Sequence, residues 1–173
     1  NKTTMPVITT KMKTKQKTAV LILIGIFSFI TQVQAQDKKM HADHIMVMPS
    51  DIKWVAAPAG LPPGSKAAVI EGNPSAAGLF TMRLKIPANY KIMPHWHPAD
   101  EHITVLKGTC YMGMGDKFDK KAAMMMPTGA FAVMKTRTHH YFFTKEECII
   151  QVHAMGPWGI TYINAADDPR NKK

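Results

Sequence analysis

Two histidines two positions apart, His95 and His97, followed by Glu101, carry the densest metal-binding chemistry in the sequence. On an extended strand, residues i and i+2 project from one face, so both imidazoles point the same way. Pro98 bends the chain before Glu101 and can return its carboxylate toward the pair. Neutral imidazole and carboxylate together suit first-row divalent metals, and a third nitrogen has to arrive from elsewhere in the chain. His139 and His140 stand side by side; strand alternation sends them to opposite faces, so only one of them reaches a shared site. The competing reading of a bare His pair is a surface cluster without a metal.

The remaining candidates are weaker. His102 directly follows Glu101 and therefore faces away from it. His153 shares a strand face with Gln151 and Ile149; His153 or Gln151 could orient a ligand imidazole, but a satisfied histidine on a barrel wall is the plainer reading. Met93, two before His95, is expected to wall the pocket, with Trp96 as a second apolar wall. The 14 methionines read as adaptable core filling, with copper(I) affinity as the alternative. His41 and His44 read as part of a solvated tail. There is no phosphate-cradling glycine loop and no nucleophile elbow, and Ser65 and Ser75 have no motif around them. Any chemistry therefore belongs to the metal.

These residues need elements to position them, and the patterning is that of short strands. Phe80, Met82, Leu84 and Ile86 alternate with Thr81, Arg83 and Lys85, which puts the apolar side chains on one face. Further strands are expected over residues 103–106, 110–114, 130–135, 140–144, 148–154 and 159–163, with Gly, Pro and Asn turn signals between them. Residues 116–125 are the one place for a short helix. An all-β sandwich or barrel follows. It occupies residues 45–164, after a polar lead-in over 36–44 and before a loose charged tail over 165–173.

Residues 1–35 read as a secretory signal peptide: a basic region with Lys2, Lys11, Lys13, Lys15 and Lys17, an apolar run from Ala19 to Ile30, and small residues at Val33 and Ala35. The alternative is an uncleaved membrane anchor, for which the apolar run is short. Export to the periplasm or the extracellular space is the expectation, with no stable membrane insertion once the leader is cut. Cleavage removes five of the 22 basic residues and none of the 12 acidic ones, so much of the +10 formal charge belongs to the leader. The remaining lysines are spread along the chain without aromatic partners, which argues against a nucleic-acid partner. Cys110 and Cys148 read as two small buried side chains; a disulfide is the alternative, since an oxidising compartment would preserve one.

The spacing around the first histidines resembles that of the cupin superfamily, whose first motif runs G-x5-H-x-H-x3,4-E-x6-G. Here Asn89, His95, His97, Glu101 and Gly108 stand at those positions, and only the leading glycine differs. Asn is a residue that tolerates a left-handed turn. The second motif, G-x5-P-x-G-x2-H-x3-N, falls on Gly129, Lys135, Arg137, His140 and Thr144, keeping the first glycine and the histidine. The stretch from Gln151 to Tyr162 also looks like small single-domain bacterial cupins.

The resemblance implies a double-stranded β-helix, or jelly-roll barrel, with one divalent metal ion (Mn, Fe, Ni, Zn or Cu) held by His95, His97, Glu101 and His140. It implies a small-molecule ligand or substrate in the barrel mouth and leaves self-association into a homodimer open. Two functional classes follow. In one, open metal positions serve dioxygenase- or isomerase-like chemistry, with Glu101 the ligand best able to detach and accept a proton. In the other, four ligands close a structural metal site in a non-catalytic binding or sensing module.

Overall fold

The computed structural model describes residues 44–172, so the signal peptide expected over 1–35 lies outside the described residues. Alternation decides the layers. In β3 (Gly78–Ile86), Phe80, Met82, Leu84 and Ile86 are buried; in β10 (Cys148–Gly156), Cys148, Ile150, Val152 and Ala154 are. The two strands pair antiparallel in the middle of a six-stranded sheet, flanked by β2 (Lys66–Glu71) and β1 (Val55–Ala56) on one side and β5 (Glu101–Lys107) and β8 (Phe131–Met134) on the other. A second sheet has five strands in the order β11 (Thr161–Tyr162), β4 (Lys91–Trp96), β9 (His140–Thr144), β6 (Thr109–Met114) and β7 (Met124–Pro127).

The inward rows of both sheets form one apolar core. Phe80, Ile103, Val105 and Val152 are each 2% exposed or less, and burying side chains of this kind stabilises by about 1.5–3 kcal/mol each. Polar residues on the six-stranded sheet point outward: Thr81 pairs with His153 at 2.9 Å, His153 with Gln151 at 2.9 Å, and Arg83 with Gln151 at 2.9 Å. That network settles His153 and Gln151 as wall residues.

Strand β9 is buried on both faces, and the reason corrects one expectation. Residues 116–125 form no helix. Their first part lies over the outer face of β9, where Phe118 packs on Tyr141 and Phe143 at centroid distances of 5.0 and 5.6 Å and Tyr141 donates to the Asp119 carbonyl at 2.6 Å. Their end enters β7, where Met124 faces Met112. The aromatic cover outweighs a weak helical preference, and the cap-type residues are engaged elsewhere: Asp116 with His139 and Asp119 with the Lys121 backbone. Gly113 is required here, because a Cβ would stand 2.0 Å from the Tyr141 ring.

The tail also differs from expectation. Ala165–Asp167 and Pro169–Asn171 form 3-10 turns, capped by Asn164 and Asp168, with Asn171 bonded back to the Ala165 carbonyl at 2.9 Å. At the start, Ile45, Met46 and Met48 are exposed and belong to no strand. Cys110 and Cys148 are fully buried free thiols. They meet where the chain crosses from β5 to β6 at Gly108, and the hydrogen bond between them, helped by burial, pushes the Cys148 thiol well above its ordinary value. No helix among the described residues is long and apolar enough to cross a membrane.

Candidate metal centre

Strand β4 carries the first two histidines with a defect in its pairing. Ile92 pairs with Phe142 and His95 with His140, and the register shifts between them. A bulge of this kind puts Ile92 and His95, three apart, on the same inner face. Ile92 consequently lines the cavity and Met93 does not. Trp96 likewise faces away, packed under Arg137 at 5.3 Å. Neither expected wall lines the cavity: the bulge displaces Met93, and alternation from His95 turns Trp96 outward.

After His97 the chain turns through residues 98–100 into β5, whose first residue is Glu101. Asp100 holds this turn: it accepts from Lys135 Nζ at 2.8 Å and from the Thr136 backbone at 2.8 Å. The 135–138 turn that precedes β9 is tied on again by the Arg137 backbone donating to the His97 carbonyl at 3.0 Å. Asn89 and Arg137, which replace motif glycines, have φ of 59° and 61°. Arg137 adopts this costly conformation with its hydrogen bond to His97 and its ring contact to Trp96 to hold it. Thr144, in place of the motif Asn, accepts from Tyr90 N at 3.0 Å and donates to the Pro87 carbonyl at 2.7 Å.

The structure brings His95, His97 and His140 together, all buried, with candidate ligand atoms within 4.8 Å of one another. Each Nδ1 faces a backbone carbonyl: His95 that of Met93 at 2.7 Å, His97 that of Gly159 at 2.6 Å, His140 that of Thr138 at 2.9 Å. A carbonyl only accepts, so Nδ1 carries the proton and Nε2 is left with a lone pair. Glu101 Oε2 lies 3.3 Å from His140 Nε2 and 3.7 Å from His97 Nε2. It is buried and has no hydrogen-bond partner.

Lone pairs facing a buried, unpartnered carboxylate oxygen are costly to leave in one place without a cation between them. The donor set therefore fits a divalent metal ion, which the three histidines can hold. Burial, helped by the neighbouring His140 and His97, pushes His95 down to about 3, and burial lowers His97 too, so both imidazoles are neutral at neutral pH. Burial would raise the Glu101 carboxyl, but His97, His140 and His95 around it hold it at about 2.

The cluster opens on a cavity of about 280 Å³ with walls that are mostly apolar, among them Leu61, Met82, Phe142, Trp158 and Ile160. The 57–64 loop closes one side and is fastened by two tyrosines. Tyr162 donates to the Gly60 carbonyl at 2.9 Å and Tyr90 to that of Pro62. Trp158 stacks on the His97 ring at 4.3 Å with 14° between the planes.

Trp158, Gly159 and Arg170 were not legible as site residues, since each reaches the cavity from far along the chain. His102 pairs outward with His153, as expected. His139 bonds to Asp116 at 2.6 Å on the surface. His44 is exposed, and His41 lies outside the described residues.

Over residues 31–161 the sequence matches the family described as "Domain of unknown function (DUF4437)". No curated protein matches the chain. Among solved structures, the polyketide cyclase RemF from Streptomyces resistomycificus is similar at 20% identity, with 73% of this chain and 89% of that one covered and a TM-score of 0.60. A candidate acetylacetone dioxygenase from Methylibium petroleiphilum PM1 is 16% identical over 73% of this chain and 85% of its own, TM-score 0.56. An RmlC-like cupin from Shewanella frigidimarina is 11% identical over 66% and 91%, TM-score 0.51. These likenesses establish the fold as the cupin barrel.

Proposed function

The chain belongs to the DUF4437 family and has the cupin fold, and from that premise we propose that it is a metal-dependent enzyme acting on a small molecule. His95, His97, Glu101 and His140 hold one first-row divalent ion. The observation that carries this reading is the cluster of three buried histidines, with the unpartnered Glu101 oxygen beside the Nε2 atoms of His97 and His140, at the edge of an apolar cavity. A site built only for stability needs no such cavity beside it.

Such an ion supplies Lewis acidity or a redox centre to a ligated molecule. The chain supplies the rest. Trp158 fixes the His97 ring, the apolar walls exclude water, and the Nδ1 bonds hold each imidazole in the tautomer that presents Nε2. Glu101, held at about 2, is a weak base at neutral pH and serves as a ligand ahead of a proton acceptor. Two of the structural neighbours bear enzyme names, a cyclase and a candidate dioxygenase, which supports catalysis on a small molecule; oxygenation or isomerisation is the reaction class proposed.

Elemental analysis and X-ray absorption spectroscopy of protein purified without added ions test this reading. The expected result is about one ion per chain, more than four-coordinate and with exchangeable water. Zinc closed by four protein ligands would mean a structural site and end the enzyme reading.

Export belongs to the same proposal and rests on the order of basic, apolar and small residues in 1–35. N-terminal sequencing of secreted or periplasmic material is expected to begin at or near Gln36. Recovery from the cytoplasm with residues 17–34 attached would count against it.

A further inference from the structure

Among the described residues that line the cavity, Arg170 is the one lysine or arginine. It comes from the second C-terminal 3-10 turn, is 47% exposed at the rim, and has an oriented guanidinium. Nε donates to Asp168 Oδ1 at 2.8 Å, and Nη2 to Asp168 Oδ2 at 2.6 Å and to the Ile160 carbonyl at 3.1 Å. A guanidinium has five N–H groups, and these contacts use the edge formed by Nε and Nη2. Nη1 makes no hydrogen bond among the described residues. It lies 3.9 Å from where a Cβ on Gly60 would stand, beside a residue that lines the cavity.

Asp168 thus fixes the plane of the fork from behind without lining the cavity itself. Its carboxylate and the Ile160 carbonyl take Nε and Nη2 and leave the two N–H donors of Nη1 without a protein partner beside Gly60. A ligand with no acceptor there would strip water from those donors and return nothing. A carboxylate oxygen supplies an acceptor and a charge to Nη1, a charge-assisted hydrogen bond that a neutral apolar group cannot make. The pre-set fork loses little side-chain freedom on binding.

The geometry points to Arg170 as the specificity residue of this site, which takes a mostly apolar small molecule carrying one carboxylate. This rests on the proposed small-molecule site. The apolar body lies against Leu61, Trp158 and Ile160, and the carboxylate sits at the rim on Nη1.

The test uses phenylacetate and its neutral counterpart phenylacetamide, titrated calorimetrically into the protein as purified and after manganese loading. Wild type is expected to prefer the carboxylate in both. Arg170→Met is expected to lower the carboxylate-to-amide affinity ratio by about fivefold, with a smaller loss for the amide, whose carbonyl also accepts from Nη1, while Arg170→Lys keeps part of the preference. An unchanged melting temperature and an amide affinity within a few-fold of wild type show that the pocket is intact in the variant. An unaltered ratio in Arg170→Met, equal affinity of wild type for both probes, or no measurable binding of either would overturn the assignment. Metal content is measured separately on every sample, so loss of the ion would count against the metal centre and not against Arg170.

Discussion

Replacing His140 with alanine is expected to weaken metal binding by about a hundredfold or more, since apparent binding energies of four-ligand zinc sites correspond to about 3 kcal/mol per ligand. The variant also leaves Glu101 with one neighbour fewer, His140 Nε2 being 3.3 Å from Oε2. His139→Ala removes the same group from the adjacent position and is the internal control. Its ring is 40% exposed and paired with Asp116, and an exposed pair of this kind contributes about 1 kcal/mol or less. Competition with a chromogenic chelator measures both variants on one scale. Equal retention of metal, or greater loss in the His139 variant, would place the third nitrogen on the wrong residue.

Acid is expected to unfold the protein and release its metal over one window. His95 titrates at about 3 in the folded state against 6.5 as its ordinary value. Between these values the unfolded chain binds more protons, so stability is full above pH 6.5 and falls by roughly 1.4 kcal/mol per pH unit as the pH drops toward 3. His97, lowered by burial, adds to the loss in the same direction. Glu101, at about 2 against 4.5, adds a further loss as the pH falls below 4.5. A bound ion steepens the response, because protonated imidazole cannot ligate.

At neutral pH a chelator is expected to lower the melting temperature by about 10 °C if the ion was present at about a hundredfold its Kd. Thermal denaturation with and without chelator, repeated from pH 7.5 to 4, checks both parts. A chelator that changes neither metal content nor melting point would sink the metal reading.

The cluster was legible because its members obey short-range rules. His95 and His97 are two apart, Glu101 follows a proline bend, and motif spacing from Gly129 reaches His140. The inner strands were legible for the same reason, with β3 and β10 announcing their buried faces by alternation. What was misplaced depends on pairing that one strand's own pattern does not contain. The bulge between Ile92 and His95 exists only against β9, and it exchanges Met93 for Ile92 at the cavity wall. Strand β2 escaped notice because Lys66 and Glu71 close a short apolar stretch with charge, and β7 because a run of three methionines suits either helix or strand. Arg170 was hidden in a segment whose charges read as solvated. The caps Asn164 and Asp168 were visible signals that this segment turns back on the barrel.

The three Nδ1 bonds differ in how much chain they enclose. His95 and His140 each bond a carbonyl two residues earlier, so strand formation alone orients them. His97 bonds the Gly159 carbonyl, 62 residues away. Closing so long a segment carries an entropic cost that short loops avoid, and contacts of this separation form late. Two imidazoles are therefore oriented by the local chain alone, while the third takes its orientation from a carbonyl near the end of the barrel. A nascent chain that ends before Gly159 holds His95, His97, Glu101 and His140 in its sequence but lacks the carbonyl that orients His97. The order of synthesis thus delays the orientation of His97 until most of the barrel is made.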